Sequence, residues 1–144
     1  MADSFDLERF VSAQAAVFPW VVEELQAGEK RSHWIWFIFP QMKGLGHSSQ
    51  SEYYGIGSLE EATAYLRHPV LGERLRQCTR LVTQVEKRAI SRILGYPDDL
   101  KFRSSMTLFA RAAEEAGLDA AEFNGALKKY FGGEGDPLTA AMLR

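Results

Sequence analysis

The sequence has a single cysteine, few prolines and no long apolar run, and each deficit excludes a class of protein. Cys78 has no second thiol with which to form an internal disulfide. Its helical neighbours Leu75, Leu81 and Val82 predict that it is buried, in a reducing compartment. The longest strongly apolar stretch, residues 34–39, is far shorter than the ~20 residues that a membrane helix needs. The sequence therefore predicts neither a disulfide-rich secreted protein nor a membrane protein.

An excess of charge of one sign is also absent. The 17 Lys and Arg residues nearly balance the 19 Asp and Glu residues, which gives a formal net charge of -2 and a pI near 5.9. A protein attracted to nucleic acid or to an anionic membrane usually carries a basic excess. The acidic residues 1–6 precede no uncharged apolar run of signal-peptide length. We therefore expect no nucleic-acid partner, no membrane partner and a cytoplasmic location.

The familiar catalytic motifs are missing as well. The chain has no Gly-x-Ser-x-Gly nucleophile elbow, no phosphate-binding P-loop and no dinucleotide glycine fingerprint. Its three histidines, His33, His47 and His68, are too far apart to suggest a local metal site. The sequence thus predicts no metal and no cofactor, and it does not decide whether the protein is an enzyme.

What the sequence does contain is the pattern of a helical protein. With 144 residues, 46% of them hydrophobic and 25% charged, it has the composition of one globular domain spanning residues 1–144. Apolar residues recur at intervals of three and four almost throughout, which predicts an all-α fold of about seven helices. The predicted helical segments cover residues 6–18, 19–27, 58–67, 69–85, 89–94, 98–116, 119–131 and 137 onward.

Capping residues mark several of these helix ends. Ser4 or Asp6 is positioned to cap the first helix, and Pro19 fits the first turn of the second. The segment 58–61 (SLEE) is a capping box, in which Ser58 and Glu61 bond to free amides at a helix start. Asp136 followed by proline predicts a last short helix. The helix ends are therefore better defined than is usual for a sequence alone.

Two stretches have no clear periodicity. Residues 32–39 form an apolar run too short for periodicity to separate a buried strand from a short helix, and we favour the helix because no partner strand is evident. Residues 41–57, with four glycines and three serines, predict one long loop. Long loops in small domains are often functional, so we expect a site in this region.

The first candidate group of ligand-binding residues lies in and beside these stretches: Arg31, His33, Trp34, Gln41 and Lys43. Cations pair with phosphate, indole rings stack on bases, and the nearby glycines allow a ligand to approach the backbone closely. The alternative is that the aromatic residues are core, the cations are solvated, and the glycines only turn the chain.

The second candidate group, Asp98, Lys101, Arg103 and Ser105, belongs to the predicted helix 98–116. Asp98, Lys101 and Ser105 share one helix face, and the free amides at a helix start attract anions. The alternative is that Asp98 caps the helix and that the two cations lie on its surface.

Three motifs together carry a family resemblance: residues 30–41 (KRSHWIWFIFPQ), 68–72 (HPVLG) and 98–109 (DDLKFRSSMTLF). With these motifs the chain resembles a bacterial family of uncharacterised all-helical domains that is sometimes labelled calpastatin-like. The resemblance covers almost the whole chain and implies a helical fold and a cytoplasmic location, without an established activity. Calpastatin itself is a disordered, repeat-built inhibitor, and this sequence has neither property.

Two functional hypotheses follow. In the first, the two candidate groups line one pocket for a small anionic or nucleotide-like ligand, and a nucleotide-derived, ADP-ribose-like substrate is hydrolysed there. In the second, the protein is a non-catalytic interaction or homo-oligomerisation module whose aromatic surface and loop tyrosines, Tyr53 and Tyr54, meet a partner. The first hypothesis requires that the segment near Trp34 and the helix start near Lys101 face a common hollow.

Overall fold

The fold is known from a computed structural model, which describes residues 4–144. Residues 1–3, part of the acidic N-terminal segment, lie outside the described residues. The described residues form ten α-helices and no β-strand, which confirms the all-α class but corrects the expected count of about seven. The helices are α1 Glu8–Ala15, α2 Phe18–Ala27, α3 Ile35–Ile38, α4 Ser49–Tyr54, α5 Leu59–Arg67, α6 Leu71–Thr83, α7 Ile90–Leu94, α8 Asp98–Ala116, α9 Ala121–Phe131 and α10 Pro137–Met142.

The extra helices are short ones in the stretches where periodicity is weak. α3 has four residues and lies in the apolar run 32–39, so the preference for a helix there is confirmed. α4 has six residues inside the segment that was expected to be one long loop. Elements of this length complete fewer than two turns, and an apolar period cannot be recognised over so few residues.

Most of the predicted helix ends are confirmed. The Ser58 hydroxyl accepts a hydrogen bond from the Glu61 amide at the start of α5, and Asp136 accepts one from Thr139 at the start of α10. Helix α8 has the predicted bounds. It ends at Gly117, whose φ of 72° is a left-handed conformation that glycine adopts without strain.

Three predicted ends differ from the observed ones. Neither Ser4 nor Asp6 caps α1: the residue before the helix is Leu7, and within residues 4–144 no side-chain hydrogen bond caps the helix. The first helix also stops at Ala15, because Pro19 cannot continue a preceding helix and the chain breaks ahead of it, at Val17. Helix α6 begins at Leu71, two residues after Pro69.

The core lies between α8 and the helices around it. One face of α6 and one face of α8 are buried in it: Leu71, Leu75, Cys78 and Val82 of α6, and Phe102, Met106, Phe109 and Ala113 of α8. Aromatic rings connect α8 to its neighbours. Phe39, just after α3, packs edge-on against Phe102 with ring centroids 4.8 Å apart, and the ring of Tyr65 on α5 lies 5.2 Å from that of Phe109. This packing fixes α8 against the segment that contains α3. In the part of the chain that the structure describes, no helix is both long and apolar enough to cross a bilayer.

Gly72 provides a test of how closely α6 approaches the end of α5. A Cβ atom at Gly72 would overlap the backbone carbonyl of Leu66, which cannot move without disturbing both helices. Gly72→Ala is therefore expected to lower the free energy of unfolding by about 2–3 kcal/mol, measured by chemical denaturation. The matched control is Gly125→Ala in α9, where an added Cβ atom contacts nothing. Because alanine favours a helix more than glycine does, this change should raise the free energy of unfolding by about 0.5–1 kcal/mol. Equal stability of the Gly72→Ala variant and the parent would contradict the packing described here.

Candidate functional site

The segment that contains α3 meets the start of α8 at a narrow cavity, which we call the slot. The ammonium group of Lys101 lies 5.2 Å from the centre of the Trp36 ring, so the two candidate regions are in contact there. The slot has a volume of about 10 Å³. Its lining residues are Ile35, Trp36, Phe39, Gln41, Ser51, Tyr54, Gly55 and Lys101.

Trp36, one of the residues that line the slot, has an unusual indole nitrogen. It is buried, and no group within residues 4–144 accepts a hydrogen bond from it. A buried donor without an acceptor is rare in folded proteins and costs about 1–3 kcal/mol. The slot has room for about one water-sized group, so a single acceptor oxygen fits there.

Asp98 holds the lysine that lines the slot. One carboxylate oxygen of Asp98 lies 2.9 Å from the ammonium group of Lys30, and the other lies 3.7 Å from that of Lys101. Lys30 is nearly buried, with a side chain only 6% exposed, and it also lies over the Trp34 ring. Two cations therefore share one carboxylate, and this small cluster keeps one net positive charge beside the slot.

The start of α8 does not offer the free amides that the sequence led us to expect. The Asp99 amide donates to the carbonyl of Gly95, and the amides of Leu100 and Lys101 both donate to the carbonyl of Pro97. Because these donors are already paired, the attraction of this site for an anion rests on side chains and not on the helix terminus.

A wider surface groove of about 450 Å³ continues from the slot, and we refer to it as the groove. Gln41 and Lys101 line both cavities, so the slot and the groove adjoin each other at these two side chains, and together we call them the hollow. Arg103 lines the groove and stands over the Phe131 ring at 5.4 Å, with its Nε donating to the Glu134 carbonyl. The other groove residues are Leu45, Gly46, Pro97, Leu100, Ser104, Asp136 and Leu138.

Six of the nine predicted ligand-binding residues lie away from the lining of this hollow. The side chain of Arg31 is 70% exposed and pairs only with Glu29 in the described chain, at 3.3 Å. His33 is exposed and lines neither the slot nor the groove. Trp34 is a core residue, and Lys43 lines a different cavity, beside Arg9 and Glu52.

Ser105 is the fifth of these residues. It lies one turn beyond Lys101 on the same face of α8, but it is buried, and its hydroxyl has no partner within residues 4–144. Asp98 does not line the hollow either, although it holds Lys101. Among the slot residues that carry a polar side-chain atom, the sequence missed Trp36, Ser51 and Tyr54. Only the position of Trp36, two residues after Trp34, offered a signal for any of them.

The exposed position of Arg31 follows from the contacts of Glu24, which is buried on α2. The Glu24 carboxylate accepts hydrogen bonds from the amides of Arg31 and Ser32, from the Ser32 hydroxyl and from Trp34 Nε1. Burial alone would raise the pKa of Glu24, but these hydrogen bonds outweigh it and lower the pKa to about 2. Glu24 therefore fixes the chain just before α3 and draws Trp34 inward.

Arg9 fixes the opposite wall of the slot. Its nearly buried guanidinium donates to the carbonyls of Tyr53 and Gly55 at 2.8 and 3.0 Å, and to the carboxylate of Glu61 at 2.8 Å. Those two carbonyls flank Tyr54, whose ring lines the slot. A backbone hydrogen bond from the Lys43 amide to the Ile56 carbonyl also ties the two ends of this loop together.

The described residues offer little to a metal ion. Within residues 4–144, no group of three or more His, Cys, Asp or Glu side chains is arranged to hold one. Among the titratable groups of the slot lining, burial raises the pKa of Tyr54 above its ordinary value. The Tyr54 hydroxyl is therefore protonated at neutral pH and available as a hydrogen-bond donor.

Comparison with known proteins places the chain among relatives whose function is not established. A solved structure, that of the conserved hypothetical protein Rv1873 from Mycobacterium tuberculosis, is 57% identical in sequence and superposes with a TM-score of 0.94 over 98% of each chain. No curated protein matches the sequence. The family model described as a protein of unknown function, DUF1810, matches residues 4–143. The resemblance seen in the sequence is thereby confirmed, and the chain belongs to the DUF1810 family.

Proposed function

We propose that the slot and the groove bind a small anionic or nucleotide-like ligand. The observation that carries this proposal is the buried indole nitrogen of Trp36, which lacks an acceptor in the described chain and belongs to a side chain beside the ammonium group of Lys101. An anionic oxygen in the slot accepts a hydrogen bond from the indole and at the same time balances the charge of Lys101. Hydrogen bonds to charged groups are worth about 1.5–3 kcal/mol, which corresponds to a gain in affinity of about tenfold to a hundredfold.

The surrounding side chains support a binding role. Gln41 lies where the slot opens into the groove, and its amide can both donate and accept. Tyr54 and Phe39 provide apolar walls within the slot. A mostly apolar hollow with a few polar groups at one end is typical of small-molecule sites.

The catalytic form of this proposal is hydrolysis of a nucleotide-derived, ADP-ribose-like substrate. Such a reaction needs a group that activates water, and the lining contains one carboxylate, Asp136. One oxygen of that carboxylate already accepts from the amide and the hydroxyl of Thr139. The geometry therefore supports binding more than hydrolysis, and hydrolysis is examined by chromatographic detection of the cleavage products of ADP-ribose in the same incubations.

Two lysine substitutions, one in the slot and one in a separate cavity, test the binding proposal. Lys101→Gln removes the charge beside the slot, whereas Lys43→Gln removes one from the separate cavity next to Glu52. We expect at least one of phenylacetate, inorganic phosphate, adenosine monophosphate and ADP-ribose to raise the melting temperature of the parent. Its affinity should fall about tenfold or more in Lys101→Gln and stay unchanged in Lys43→Gln. A panel without any stabilising compound, or one whose effect survives Lys101→Gln, would count against the proposal.

A second candidate is an assembly module, and it rests on exposed leucines. Leu100 and Leu138 line the groove while remaining 46% and 66% exposed, and Tyr96 lies exposed near Leu100 in the chain. Large exposed apolar side chains are frequent at protein interfaces. In this alternative a second copy of the chain covers the groove, and sedimentation equilibrium should show a mass that rises with concentration and falls back in Leu138→Ser.

A further inference from the structure

The size of the slot restricts what can enter it. Its volume of about 10 Å³ accommodates a single oxygen atom, and among its lining residues the one buried side-chain donor without a partner in the described chain is the indole N–H of Trp36. A phosphoryl group has three terminal oxygens, and sites that hold one usually supply several backbone amides or a guanidinium fork. A carboxylate, in contrast, can place one oxygen in the slot and leave the second one near Lys101.

The charge of the lining also favours a carboxylate over a phosphoryl group. Three charged side chains line the hollow: Lys101, Arg103 and Asp136. The two cations already lie beside acids, Lys101 at 3.7 Å from Asp98 and Arg103 at 3.9 Å from Glu134. Counted together with Asp98, Glu134 and Lys30, which lies 2.9 Å from Asp98, these side chains sum to zero. The hollow therefore has no surplus of positive charge to balance the about -1.5 to -2 of a phosphate monoester at neutral pH, and it disfavours a singly charged carboxylate less.

The groove adds a requirement for an apolar body. Leu45, Pro97, Leu100 and Leu138 form much of its lining, and the groove begins at the residues that end the slot, Gln41 and Lys101. Its volume of about 450 Å³ lies within the range of small-molecule sites. A ligand whose charged end occupies the slot must lay its remaining atoms along these apolar side chains, which favours a hydrocarbon or aromatic body.

From size, charge and lining together, we infer that the ligand is an organic monocarboxylate with a compact apolar body. Its carboxylate lies between Trp36 Nε1 and the Lys101 ammonium, and its body lies in the groove. This inference rests on the proposed function and narrows it: among anionic ligands, it selects monocarboxylates over nucleotides. It also explains why the sequence, with no phosphate-binding motif, is nevertheless built around a buried donor and a lysine.

The indole signals of the protein allow a direct test. The chain has three tryptophans, so a ¹H–¹⁵N correlation spectrum shows three indole N–H signals, and the Trp36 signal is assigned as the one that Trp36→Phe removes. Exposed Trp20 and buried Trp34 serve as internal controls. Phenylacetate, phenylacetamide and adenosine monophosphate are titrated separately into the full chain. Phenylacetamide has the same apolar body as phenylacetate but no charge.

We expect phenylacetate to shift the Trp36 indole signal downfield and to leave those of Trp20 and Trp34 in place. Its affinity should exceed those of phenylacetamide and of adenosine monophosphate by about tenfold or more, because a hydrogen bond to a carboxylate is stronger than one to an amide. Lys101→Gln, whose spectrum reports its own folding, should remove most of the preference for phenylacetate over phenylacetamide.

The outcomes separate this inference from the proposed function. If adenosine monophosphate or ADP-ribose binds in a Lys101-dependent manner and phenylacetate binds no better than phenylacetamide, the inference is overturned while the proposed function stands. If no anion moves the Trp36 signal or raises the melting temperature, both are overturned. A phenylacetate-induced shift at Trp20 or Trp34 without one at Trp36 would place the ligand elsewhere and would also overturn the inference.

Discussion

Glu24→Ala is expected to lower the free energy of unfolding by about 3–5 kcal/mol at pH 7. Glu24 is only 8% exposed, and its removal leaves the buried Trp34 indole and the amides of Arg31 and Ser32 without their acceptor. The segment before α3 would then lose the contacts that hold it to α2. Urea denaturation of parent and variant measures the effect, and Glu23→Ala, an exposed change one residue away, should cost little.

The pH dependence of the stability difference between the parent and Glu24→Ala tests whether the carboxylate charge is the cause. The pKa of Glu24 is lowered from its ordinary value of 4.5 to about 2 in the folded protein. The carboxylate therefore stabilises the fold fully above pH 4.5, and this contribution, about 3 kcal/mol, is lost as the pH falls from 4.5 towards 2. The stability gap between parent and Glu24→Ala should accordingly narrow in acid. A gap that stays constant or widens between pH 6 and pH 3 would show that the carboxylate charge is not responsible.

Arg9→Met is expected to have an effect of similar size, about 3–5 kcal/mol. The substitution leaves the buried Glu61 carboxylate without its cation and removes the donor that binds the carbonyls of Tyr53 and Gly55. Both carbonyls border Tyr54, so the slot should lose its wall and any ligand affinity should fall with stability. Denaturant unfolding and the ligand titrations described above measure the two effects on the same variant.

Two controls isolate the buried ion pair of Arg9. Arg31→Met removes an exposed pair with Glu29 and should cost less than about 1 kcal/mol. Glu61→Gln, combined with Arg9→Met, should cost less than the sum of the single changes, because the second substitution removes the uncompensated charge left by the first. Additive losses would mean that Arg9 and Glu61 act independently.

The helices were predictable from the sequence because their signals are local. Helix α8 was predicted with its observed bounds, since an apolar period of three and four residues ends at a glycine, and both features lie within a few turns of chain. The capping roles of Ser58 and Asp136 were predictable for the same reason, and both are confirmed. The short helices α3 and α4 lack such a period, and the second was missed.

The candidate site was predictable only in part. The ligand-binding hypothesis required that residues near 34 and near 101 face a common hollow, a condition that the sequence could not settle. In the structure Trp36 lies beside Lys101, and Gln41, Lys101 and Arg103 line the hollow. The sequence selected Trp34 where the structure places Trp36, because two tryptophans two residues apart cannot be ranked before the direction of the backbone is known. It also selected Lys43, which lies on the far side of the residues that close the loop.

By itself, the sequence determined the all-helical class, most helix ends and the absence of the common nucleotide motifs, since each of these is encoded within a few neighbouring residues. Only the tertiary structure decided which polar groups meet. Glu24 pulls Trp34 into the core, Arg9 sets the wall that carries Tyr54, and Asp98 holds Lys101 beside Trp36. These contacts join segments that are distant in the chain, and no local pattern encodes a distance between such segments.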